Sequence, residues 1–177
     1  MQKRNFHPAT LFILCLLICK TNAKADFLSD LANGIFNAKS AGKIVSMEDP
    51  KHYAMLKDGH ILCCDFQSGE ANDTLFSRDK IKKEEQHLLR DDIQGFILLP
   101  NERYMLVYTN RKQIYRRSFE AEWFIYNIAK RSIKPLSQHS PQREPVVSAD
   151  GRYICFAFQN NLYIHKLDFG TDRKSVV

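Results

Sequence analysis

The chain lacks an apolar run long enough to cross a membrane. Its longest, residues 9–19, is about 11 residues, against the ~20 that a spanning helix requires. It also lacks a large charge of one sign once its first segment is set aside. The formal net charge is +6, but residues 1–25 hold Lys3, Arg4, Lys20 and Lys24 and no acid, which leaves the rest at +2. A nucleic-acid binder presents a strongly basic face, so that class is excluded. Cysteine is sparse: Cys15 and Cys19 fall in the first segment, and only Cys63, Cys64 and Cys155 lie beyond it. An odd number allows at most one bridge. Neighbours on a strand point to opposite faces, so Cys63 and Cys64 are poorly placed to bond to each other or, with His60, to hold zinc. Buried free thiols are expected. Finally, the chain has no Gly-x-Ser-x-Gly nucleophile elbow and no ordered Ser, Asp and His set. No catalytic residue, metal ligand or cofactor is assigned.

Residues 1–25 read as a secretory signal. Lys3 and Arg4 supply the positive start, the short apolar stretch comes next, and Ala23-Lys24-Ala25 fits the small-x-small cleavage pattern. Ile18 is too bulky for the position before a lipidated Cys19. Export across the inner membrane is expected, to the periplasm or beyond. Residues 26–45 form a short helix and connector: Phe27, Leu28, Leu31 and Ile35 share one stripe over 26–36, with Gly34 near its end.

The remainder of the chain is strand-rich and repetitive. At Tyr53, Tyr104 and Tyr153 a turn-forming cluster runs into an apolar strand, at a period of about 50 residues that belongs to propeller blades. In Ile154, Phe156 and Phe158 against Tyr153, Cys155 and Ala157, both sides of the strand are apolar, as in a sheet covered on both faces. Turns are predicted at Lys57-Asp58-Gly59, Ser68-Gly69, Lys130-Arg131-Ser132 and Asn160-Asn161. The charged stretch 77–92 reads as a surface excursion between blades. The fold class is therefore all-β, an incomplete β-propeller over 46–172 with about three blades of the roughly four to eight that close a ring. Residues 173–177 form a tail off the pattern. An unfinished ring exposes apolar sheet faces and predicts poor solubility or partner-dependent folding.

The second repeat carries an insertion over 110–122 with Arg111, Lys112, Arg116 and Arg117. From residue 93 to 170 the chain resembles the propeller of the dipeptidyl peptidase IV family, prolyl-oligopeptidase-type serine peptidases, and within it the exported bacterial branch. The residues carrying this are Gln113-Ile114-Tyr115-Arg116-Arg117-Ser118-Phe119 and Trp123-Phe124-Ile125-Tyr126-Asn127. Pro135-Leu136-Ser137, Ser148-Ala149-Asp150-Gly151 and Asn160-Asn161-Leu162-Tyr163 continue it in the family's order. The resemblance implies that Arg116 helps hold the substrate's backbone carbonyl near the peptide N-terminus, a task suited to a guanidinium. The competing reading is a solvated basic hairpin. The family's glutamate pair for the free amine is not carried onto Glu84-Glu85, which precedes the arginine segment and lacks the flanking aromatics.

By resemblance the complete enzyme removes X-Pro or X-Ala dipeptides from peptides with a free N-terminus, is a homodimer, and uses no cofactor. This chain would supply substrate gating and binding and would itself be inactive. The alternative is a non-enzymatic periplasmic propeller-like module that binds other proteins. A standalone all-β domain ranks last, because it leaves the repeat spacing unexplained.

Overall fold

The computed structural model describes residues 23–37, 42–100, 102–167 and 171–175. Most of the proposed signal, residues 1–22, lies outside the described residues. The chain divides into two units, Met1–Ser40 and Ala41–Val177. In the first, helix α1 spans Ala23–Ala32, starting three residues before the expected position and including the backbone of Ala23-Lys24-Ala25. It stops where Gly34 turns left-handed at φ 70°. The Ile35 N–H reaches back to the Asp30 carbonyl (3.0 Å) and the Gly34 N–H to that of Leu31 (3.2 Å). That pair of bonds satisfies the carbonyls a helix end leaves orphaned. Among the described residues, no helix is long and apolar enough to cross a membrane.

The second unit is three antiparallel four-stranded meanders in sequence, three blades of a partial β-propeller. Blade 1 comprises β1 (Ile44–Ser46), β2 (His52–Lys57), β3 (His60–Asp65) and β4 (Ala71–Phe76). Blade 2 comprises β5 (Gly95–Leu98), β6 (Tyr104–Gln113), β7 (Phe119–Asn127) and β8 (Ser132–Pro135). Blade 3 comprises β9 (Gln142–Val147), β10 (Tyr153–Phe158), β11 (Asn161–Lys166) and β12 (Thr171–Ser175). Strand β12 pairs with β11 from Thr171 to Ser175, so blade 3 continues past residue 172, the end expected from the sequence. Blades 2 and 3 share one eight-stranded sheet. The second half of β7 pairs with β8, while Glu120 and Ala121 near its start pair with Arg143 and Gln142 of β9.

The three repeats superimpose by hydrogen bonding, one residue away from the tyrosine alignment in the first copy. Ser46 pairs with Tyr53, Leu98 with Met105 and Val147 with Ile154. The closing turn bonds agree: Met47 N–H to the His52 carbonyl, Leu99 to Tyr104, and Ser148 to Tyr153. His52, not Tyr53, is therefore the equivalent of Tyr104 and Tyr153. A slip of one residue exchanges the two faces of a strand, and β2 is apolar on both, so its pattern could not reveal the shift. The same frame matches Asp49 to Asp150, each accepting the N–H two residues on, from Lys51 (2.9 Å) and Arg152 (3.1 Å).

Turns show a similar displacement. Gln159 and Asn160 are the two left-handed residues of the β10–β11 turn (φ 45° and 61°), while Asn161 already pairs with Phe158. Asp58 and Gly59 serve between β2 and β3 (φ 50° and 75°), as a two-residue hairpin requires.

Packing is set by alternation. Met105 and Val107 of β6 enter one core with Ala54, Ile61 and Phe76 of blade 1. Leu106 and Tyr108 enter another with Ile154, Phe156 and Tyr163 of blade 3. Each fully buried side chain of this size contributes about 1.5–3 kcal/mol. The charged connector is less superficial than its composition suggests. Its Ile81 and Leu89 are buried in the first core, and the Glu85 carboxylate accepts the Ile133 N–H of β8 (2.6 Å). The cysteines among the described residues are free thiols: Cys64 is buried, Cys63 and Cys155 are half-buried.

Asp150 organises the turn into β10. It accepts from the Ser148 hydroxyl (2.6 Å) and pairs with the Arg152 guanidinium (2.7 Å). Those bonds, with the Arg152 backbone N–H, lower its carboxyl to about 2. A group more acidic in the folded state contributes stability above its unfolded value, ~3.9, and loses it as pH falls through the folded one. Asp150→Asn is thus expected to flatten the loss of stability between about pH 4 and 2, read from urea midpoints at a series of pH values. Parallel acid limbs for variant and wild type would refute this.

Candidate substrate-binding hairpin

One hairpin outgrows its neighbours. The central strands of blades 1 and 3 have six residues each, whereas β6 has ten and β7 nine. The extension begins at a bulge between Thr109 and Lys112, where Asn110 turns left-handed (φ 51°) and the Arg111 N–H is taken by the Gln94 side chain (2.8 Å). Such a bulge bends its strand and re-aims the side chains beyond it.

Beneath the extension lies an aromatic base. The Tyr108 ring is 4.6 Å from Trp123 and 5.1 Å from Phe119. Burial pushes the Tyr108 phenol up, with Arg111 acting in the opposite sense. Opposite Tyr108 in the ladder is Gly95, and a Cβ there would come within 2.3 Å of the tyrosine oxygen. The Tyr108 ring therefore occupies the place of a side chain.

The four basic residues of the insertion divide into two pairs. Arg111 lies over the Phe119 ring (4.6 Å) and donates to the side-chain Oε1 of Gln113 (2.7 Å). Lys112 pairs with Glu120 (3.6 Å), which also holds Arg143 of β9 (3.2 Å). These two serve the scaffold. At the tip, the Ser118 carbonyl accepts the N–H of both Ile114 (3.0 Å) and Tyr115 (3.2 Å), and the Gln113 amide donates to the Tyr115 carbonyl. Arg116 and Arg117 are exposed there, beside a Tyr115 that is 75% exposed. Neither arginine has a carboxylate partner among the described residues. The tip thus presents two guanidinium groups whose donors are available to a carbonyl or carboxylate.

A second concavity, not expected from the sequence, lies at the β8–β9 connection. It is a groove of about 500 Å³ lined by Leu136, Ser137, Gln138, His139 and His165 among others. His139 packs against Tyr163 (4.7 Å) and Phe158 (5.2 Å). The groove's lining is the consecutive run 134–139, closed by His165 of β11, which only the fold brings beside it. Glu84 and Glu85 are not brought to the hairpin tip by any contact, and Glu85 is occupied by β8.

Residues 99–176 match the family described as dipeptidyl peptidase IV (DPP IV) N-terminal region. Among solved structures, the dipeptidyl peptidase 4 of Porphyromonas gingivalis is 32% identical, with a TM-score of 0.74. The match covers 84% of this chain and 21% of that protein, so the chain spans about a fifth of its length. The tricorn protease (11% identity, TM-score 0.44, 78% of this chain and 16% of that one) is too distant to bear on function. The same holds for a putative 6-phosphogluconolactonase from Bacteroides fragilis (12%, 0.39, 75% and 36%). Comparison with the curated proteins gave no match.

The hairpin generates two expectations. Trypsin should cut the folded chain readily after Arg116 or Arg117, as mass spectrometry of the early fragments would show; survival of those bonds while the buried strands are digested would contradict an exposed tip. Gly95→Ala should displace Tyr108 and cost about 1–3 kcal/mol by overpacking, and an unchanged denaturation midpoint would contradict it.

Proposed function

The chain belongs, through residues 99–176, to the dipeptidyl peptidase IV N-terminal family, and on that premise we propose that it supplies the substrate-selecting part of an exported serine dipeptidyl peptidase. Such an enzyme removes X-Pro or X-Ala dipeptides from free N-termini. In this reading residues 1–25 direct export, and the blades narrow access to a serine centre for which these residues provide no nucleophile elbow. Bond breaking through an acyl-serine intermediate belongs to other residues than these.

The observation that carries the reading is the hairpin tip. It projects from a blade packed on both faces and offers Arg116 without an ion-pair partner among the described residues. A loop held by a fixed scaffold is where binding groups are placed. Arg116 donates to the substrate carbonyl next to the peptide N-terminus, fixing how far the peptide advances. Arg111, Lys112 and Glu120 keep the hairpin upright beneath it. The role is binding, so its loss falls on affinity.

The purified 177-residue chain should not hydrolyse a chromogenic Gly-Pro substrate; turnover free of contaminating peptidase would overturn the division of labour. In a longer enzyme carrying this segment, Arg116→Ala should raise KM with kcat nearly unchanged. A hydrogen bond to a charged donor is worth about 1.5–3 kcal/mol, or roughly 10- to 150-fold in kcat/KM. Arg117→Ala should have a much smaller effect. Equal losses from both would mean a diffuse basic tip and not a specific contact.

A further inference from the structure

The start of β7 is held between two strands that bend to reach it. On one side is the bulged end of β6, where Lys112 stands opposite Glu120. On the other is the start of β9, where Arg143 and Gln142 stand opposite Glu120 and Ala121. A bulge follows at once in β9: Glu144 is left-handed (φ 47°) without being glycine, and the β9–β10 register slips beside it. A non-glycine residue seldom adopts this conformation, and it persists where the surroundings over-determine it. Here it sets the first two residues of β9 apart from the rest of that strand and aims them at β7.

Both residues also hold β7 through their side chains. Glu120 is opposite Lys112 on one side and Arg143 on the other, so the three form a single row across β6, β7 and β9. One carboxylate oxygen meets Lys112 (3.6 Å), and the other accepts from Nε and Nη2 of Arg143 (3.3 and 3.2 Å). The Glu120 side chain is only 16% exposed, which keeps the pair largely out of water. Neighbours on a strand face opposite ways, and Gln142 works on the other face, where it is buried. It accepts the Trp123 N–H (3.1 Å) and donates to the His139 carbonyl. That amide fills the gap on the β7 edge between the Ala121 pair with β9 and the Phe124 pair with β8.

Glu120 stands four residues from Arg116, at the foot of the tip, so its grip on blade 3 sets the direction in which the tip points. We propose that Arg143, a residue of the neighbouring blade, is a positioning residue for peptide binding: through Glu120 it fixes the angle of the hairpin and hence where the Arg116 guanidinium meets the peptide. Arg143 itself touches no substrate. Every group in the row comes from β6, β7 and β9, the strands that carry the hairpin and its brace. The proposal rests on the substrate-binding reading of Arg116.

Steady-state kinetics of a longer enzyme carrying this segment, with a chromogenic Gly-Pro substrate, test it. Arg143→Ala should raise KM about two- to fivefold with kcat nearly unchanged, the range a partly exposed ion pair supports. The isosteric Glu120→Gln should act in the same way. In an Arg116→Ala background neither change should cost anything further, because the group they misplace is already gone. A costly Arg116→Ala beside silent Arg143→Ala and Glu120→Gln overturns the brace and leaves the binding role of Arg116 standing. Losses that add in the double variants, or that fall on kcat alone, overturn it as well, since a contribution to stability or to another contact would not vanish with Arg116. A silent Arg116→Ala overturns the binding role itself, and the positioning role with it.

Discussion

Strand β6 has no side that can face water. From Met105 to Tyr108 every residue is apolar and buried, so the strand is stable only with a blade on each side. Propeller architecture is one solution to that constraint, and the rest of this chain is arranged around it. Blade 1 and the anchoring Ile81 and Leu89 close one face, while Ile154, Phe156 and Tyr163 close the other. The rigidity of the long hairpin derives from the same source, since its strands leave a sheet that is packed on both surfaces before they project.

The hairpin itself illustrates how a run of like charges is resolved by geometry. Four cations within seven residues would repel if they were equivalent. They are not: an aromatic ring takes one, Glu120 takes another, and the tip keeps two. Glu120 also holds Arg143 of β9, so the base of the projecting segment is tied to the neighbouring blade as well as to its own.

The order of strands, the three-blade count and the projecting insertion were legible in the sequence, because alternation and turn chemistry are local signals. Asp58-Gly59 needed only its own conformational preference to be found. The features that escaped depended on pairing. Placing Tyr53 beside Tyr104 and Tyr153 relied on residue identity, whereas β2 is aligned by its bond to β1, which puts His52 there. Asn160-Asn161 was read as a turn, and the ladder between Phe158 and Asn161 moved it back by one. The connector was judged by its many charges, though two apolar residues determine where it lies. For the site, the insertion and Arg116 were visible, but which of the four cations were already engaged was not, because Phe119 and Glu120 approach Arg111 and Lys112 only in the folded sheet.

The division of β7 between two partners has a consequence of its own. Its early residues hold β9 while its later ones hold β8, so the boundary between blades 2 and 3 is a seam stitched by backbone hydrogen bonds. Blade 1 is joined to blade 2 through side-chain contact and a few connector bonds, a looser attachment. Opening of the molecule would therefore begin at the junction of the first blade, which no ladder of strand pairing crosses, and reach the seam between the other two only afterwards.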